Sequence, residues 1–99
     1  MALSVSEQMR GAVARIEAAL SDWENPEAKR VISQEISLLA RVVPIQREKI
    51  SSLRTWVRIL YSAHKHQHYG GPATVKAYVQ AECRRIRQIA SQIESAGQR

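Results

Sequence analysis

Apolar residues recur along the first part of the chain at the spacing of a helix rather than a strand. Met9, Val13, Ile16, Leu20 and Trp23 alternate steps of four and three, with Ala12 and Ala19 beside them. This is a single apolar stripe on one helix face, and it needs a neighbour to bury it. Ser4-Val5-Ser6-Glu7 reads as a capping box ahead of the stripe, so the first helix is predicted to start there. Asn25-Pro26-Glu27 then supplies an N-cap, a proline whose fixed φ suits the first helical position, and an acid near the positive end of the helix dipole. The second helix is therefore predicted from Pro26. Its apolar positions Ala28, Val31, Ile32, Ile36, Leu38, Leu39, Val42 and Val43 span a sector roughly 160° wide, which calls for neighbours on two sides.

Pro44 cannot donate to the preceding turn and pushes Val43 out of the helical region, so the second helix ends around Arg41 or kinks. A third helix is predicted from Pro44 to about His68, with Ile45, Leu53, Trp56, Val57, Ile59, Leu60 and Ala63 on one broad face and Ile50 and Tyr61 at its margin. Tyr69-Gly70-Gly71-Pro72 is the strongest break in the chain: a glycine suited to the left-handed position after a helix, then a proline that opens the next. The fourth helix places Val75, Val79, Glu82, Ile86, Ile89 and Ile93 in a coiled-coil seam with one acid in it, and runs to Gly97.

Composition agrees with these elements. The 99 residues suffice for one domain, so 1–99 is expected to be a single helical domain. Apolar residues make up 44%, aromatics only 5% with no Phe, and Gly and Pro are few. That is the texture of an all-α protein with a real core, a small bundle of about four amphipathic helices. The wide apolar faces of helices two and three exceed what three neighbours are expected to cover, which points to a homodimer or a bound partner. No leader pattern and no apolar run near 18 residues is present, so a cytoplasmic protein without a membrane role is expected.

Charge is uneven. The formal net charge is +6, yet the residues up to Glu24 carry two basic side chains against four acidic ones. The excess of cations lies after Pro44, and it suits an acidic partner or a nucleic acid. Arg47, Arg54, Arg58 and Lys65 fall on one stripe of helix three opposite its apolar face. The stripe reads either as a surface that tracks nucleic-acid phosphates or as an ordinary solvated face. Zinc-finger spacing, RNP-type motifs and aromatic residues interleaved for base stacking are missing from the sequence, which disfavours nucleic acid.

Glu35 and Glu82 interrupt apolar faces. Each must meet an Arg, Tyr or His within the protomer, sit at an interface, or lie at the edge of a small bundle. His64 and His68 are spaced to share a metal, but a third ligand is not evident and Cys83 stands on another helix, so no metal and no cofactor are expected. Phosphate loops and nucleophile motifs are missing from the sequence, so the chain is not expected to be an enzyme.

Trp56 followed by Arg58 and Tyr61 combines the residue types that dominate interface energies, although a tryptophan on a broad apolar face is also an ordinary core residue. The anchors expected for a protein partner are Ile32, Ile36, Leu39, Trp56, Ile59 and Leu60, with Arg54, Arg58 and Arg84 as rim charges.

Gly70-Gly71-Pro72, with Val75-Lys76-Ala77-Tyr78 and Ala81-Glu82 after it, resembles the start of the C-terminal helix in small bacterial quorum-sensing anti-activators of the TraM and QslA kind. Chain length agrees as well. The segment before it, including Asn25-Pro26 and Pro44, does not share that pattern. The resemblance implies a helical, dimeric cytoplasmic protein that binds a LuxR-type transcription activator and blocks its dimerisation or its DNA binding.

Overall fold

In the computed structural model, which describes residues 3–43 and 47–97, the chain folds as five helices with no strand among those residues. Helix α1 spans Val5–Leu20, and the Ser4 hydroxyl accepts the Glu7 backbone N–H at 3.2 Å, the capping expected from the sequence. Met9, Ala12, Val13, Ile16 and Leu20 are its buried stripe. Helix α2 spans Pro26–Val42; the Asn25 side chain caps it by accepting the Glu27 N–H at 2.9 Å. The expected start of the third helix at Pro44, and Ile45 on its face, lie outside the described residues.

Helix α3 spans Arg47–Leu60, and here the expectation of one helix running to His68 is corrected. Ser62 takes an extended conformation, φ −113° and ψ 103°, and its hydroxyl accepts the Lys65 N–H at 3.3 Å. A serine that satisfies a backbone donor in this way caps a new turn instead of continuing the old one. The result is a short helix α4, Ala63–His66, followed by a 3-10 turn, Gln67–Tyr69. Gly70 and Gly71 then take positive φ, 94° and 96°, which side chains rarely tolerate, and the corner delivers Pro72 to the first position of α5, Pro72–Gly97.

The four long helices pack in a closed order: α1 against α2 and α5, and α3 against α2 and α5, with the α2–α3 seam the thinnest. One core joins Met9, Ile16, Leu20, Ile32, Ile36, Leu39, Leu53, Leu60, Val75, Val79 and Ile86. The seam of α5 differs in detail from the expected one. Cys83 and Ala90 are fully buried in it, while Ile89 and Ile93 pack at its edge.

Candidate partner-binding surface

Salt bridges sort the charged residues before any surface can be defined. Glu94 on α5 accepts from Arg10 and Ser6 on α1, Glu35 on α2 accepts from Arg15 on α1, and Glu17 on α1 pairs with Arg87 on α5. Arg30 pairs with Glu27 and Arg85 with Glu82 along their own helices, at 2.7 and 2.9 Å. Both acids that broke the apolar pattern thus meet arginines inside the protomer. Glu82 is nearly sealed from solvent, and its second oxygen, Oε2, has no hydrogen-bond partner among the described residues. The Arg10 and Ser6 hydrogen bonds hold the Glu94 carboxyl below the usual carboxylate value, and the Glu94 hydrogen bond raises Arg10.

Other cations have no such partners. Among the described residues, Lys29, Arg54, Arg58, Lys65 and Arg84 form no ion pair. The break at Ser62 takes Lys65 off α3 and so divides the expected stripe. Arg47 and Arg54 stay on α3, and Arg58 and Lys65 line one surface depression with Thr55, Ile59, His68 and Tyr69.

The Gly70-Gly71 corner brings together three aromatic residues that are far apart in sequence. The Trp56 ring lies 4.6 Å from the Tyr78 ring at a 34° tilt and meets the Tyr69 ring edge-on at 5.2 Å. Trp56 packs against the core, whereas Tyr69 and Tyr78 are 46% and 42% exposed. The sequence shows no aromatic interleaving, and the fold supplies it from three separate elements. The usable signal was a tyrosine on each side of the glycine corner.

The expected anchors are distributed differently from expectation. Ile32, Ile36, Leu39, Ile59 and Leu60 are all buried in the protomer's own core. They are therefore corrected from partner anchors to core residues: the closed helix order covers the wide faces expected to exceed one protomer. Trp56 alone of the six reaches the surface, with Arg54 and Arg58 on either side of it along the same helix and Arg84 exposed on α5.

The remaining candidate chemistry is sparse. The His64 and His68 rings meet edge to face at 5.5 Å, and no group of three or more metal-binding side chains converges among the described residues. Cys83 is buried, and desolvation pushes its thiol up to about 12, so it stays protonated at neutral pH. Among the described residues no helix is long and apolar enough to cross a membrane.

Fold and surface together define an all-α protein that pairs five of its nine acids with arginines and exposes aromatic rings beside free cations. No known protein family, curated protein or solved structure matches the chain.

Proposed function

We propose that this chain is a non-enzymatic, protein-binding regulator that acts in the cytoplasm through the surface centred on Trp56, Tyr69 and Tyr78. The observation that carries the reading is the packing of one core-anchored tryptophan against two half-exposed tyrosines, tilted on Tyr78 and edge-on to Tyr69, beside Arg58 and Lys65. Rigid aromatic rings offer large contact area at little entropic cost, and flanking arginines orient an acidic partner. In this reading the four long helices form one bundle per protomer, and two copies pair through the patch when no target is bound. The resemblance at Gly70-Gly71-Pro72 makes a LuxR-type activator the target, its dimerisation or DNA binding blocked by competition for an apolar surface.

The test is titration of a purified LuxR-type activator with the chain by calorimetry, alongside the Tyr69→Ala/Tyr78→Ala double variant. Saturable binding that the double variant loses while keeping its helical circular dichroism supports the reading. Equal binding by both proteins, or none by either, overturns it.

A second reading rests on a different observation, the free cations Arg54, Arg58 and Lys65 on a chain of net charge +6. They suit the phosphates of a nucleic acid whose bases stack on the exposed tyrosines. Salt separates the two readings: affinity for phosphates falls linearly in logarithm as salt rises, whereas an apolar interface changes little.

A further inference from the structure

The groove between α2 and α3 has a lining of unusual uniformity. One wall carries Lys29, Ser33 and Ser37, four residues apart along α2, and the other carries Arg54, Arg58 and Tyr61. Residues at that spacing share one helix face, so each wall presents a row of polar side chains to the other. Ile36 and Val57 form the floor, and the groove holds about 360 Å³, within the range of about 300–1,000 Å³ that small-molecule sites occupy.

Every polar side chain in that lining can donate a hydrogen bond, and none is a carboxylate. Three of them are cations, and none has an ion pair among the described residues. Elsewhere in the molecule, arginines meet acids in five pairs. The two acids of α2, Glu27 and Glu35, are held by Arg30 and by Arg15 of α1. Like charges gathered in a groove repel one another, and an anion among them removes that penalty. The Tyr61 hydroxyl has no hydrogen-bond partner among the described residues, and Lys29 Nζ stands 5.5 Å from the centre of the Tyr61 ring. Burial also pushes the Tyr61 pKa up, so the phenol keeps its proton.

We infer that the α2–α3 groove is a binding site for a small phosphate monoester, its phosphate held by Lys29, Arg54 and Arg58 and its organic body lying over Ile36 and Val57. A terminal phosphate carries close to two negative charges and three acceptor oxygens at neutral pH, which suits a groove lined by three cations and two serine hydroxyls with no carboxylate among them. A nucleic-acid backbone carries one charge per phosphate and needs a longer track of cations than the three that line this groove. The site shares Arg58 with the partner surface but not Tyr69, Tyr78 or Lys65, so Lys29→Gln tests it apart from that reading.

The experiment is a titration of the isotope-labelled full chain with phenyl phosphate, followed by two-dimensional NMR. Expected are saturable shifts confined to residues around Lys29, Ser33, Ser37, Arg54, Arg58 and Tyr61. Lys29→Gln and Arg58→Gln should each weaken binding about tenfold with circular dichroism unchanged, while Arg84→Gln on α5 keeps it. Affinity should fall as pH drops through about 6, where the ester loses its second charge, and benzenesulfonate, with one charge, should bind more weakly. Scattered shifts, equal binding of benzenesulfonate, or wild-type affinity in both variants overturns the proposal. Tighter binding of a single-stranded oligonucleotide through the same residues also overturns it and assigns the groove to nucleic acid.

Discussion

Trp56 and Tyr78 stack across the α3–α5 seam with ring centres 4.6 Å apart, so the exposed tyrosine is fixed by a residue anchored in the core. An aromatic pair of this kind adds about 0.5–1.5 kcal/mol beyond its buried area. Tyr78→Ala is therefore expected to lower stability by about 1 kcal/mol in urea denaturation, and Tyr69→Ala by less, because its edge-on contact is longer. A loss of several kcal/mol from Tyr78→Ala would mean that the ring is part of the core and not available to a partner.

Glu82 gives a second, opposed pair of outcomes. Its carboxylate is buried, one oxygen accepts from Arg85 at 2.9 Å and the other has no partner among the described residues. Replacing a buried ion by an apolar side chain of similar size is often neutral or stabilising, whereas removing only its partner leaves an uncompensated charge. Glu82→Leu should match or exceed wild-type stability, and Arg85→Ala should lose about 1 kcal/mol, since water reaches the Arg85 side of the pair. Chemical denaturation of the two variants decides this; a strongly destabilised Glu82→Leu would refute the account.

The glycine corner makes a graded prediction. Alanine at either position is forced into positive φ, at a cost of about 1–3 kcal/mol. At Gly70 an added Cβ would also stand 3.1 Å from Thr74 Oγ1, whereas nothing lies within 4 Å at Gly71. Gly70→Ala should therefore lower the thermal midpoint more than Gly71→Ala. Both variants should lose binding through the aromatic patch if the corner is what presents Tyr69.

Acid should act through Glu94. Its pKa is depressed in the folded chain by hydrogen bonds from Arg10 and Ser6, so its contribution to stability is present above the ordinary value of 4.5 and disappears as pH falls below it. Thermal unfolding followed from pH 6 downward should show a decline that is shallower in Glu94→Gln. Parallel profiles for the two proteins would show that the pair contributes nothing.

Much of the fold was legible because its boundaries are chemical. Ser4, Asn25-Pro26 and Gly70-Gly71-Pro72 mark caps and corners with side chains that can do little else, and the helices begin or turn there. The break after Leu60 was not legible: apolar spacing continues through Ala63, and Ser62 looks like any serine on a solvated face until its hydroxyl takes the Lys65 N–H. Periodicity also finds buried faces without saying what buries them, which is why Ile32, Ile36, Leu39, Ile59 and Leu60 read as candidate anchors and are core. The aromatic patch joins α3, the 3-10 turn and α5, and no local pattern reports a meeting of that kind.

The ion pairs have a consequence for how the molecule comes apart. Among the described residues, every ion pair between helices involves α1, twice with α5 and once with α2, while α3 is held by apolar packing and ring stacking. Salt screens the first kind of contact, and cooling weakens the second. Brine should therefore weaken only the attachment of α1, while chill acts on the one core that α1 and α3 share.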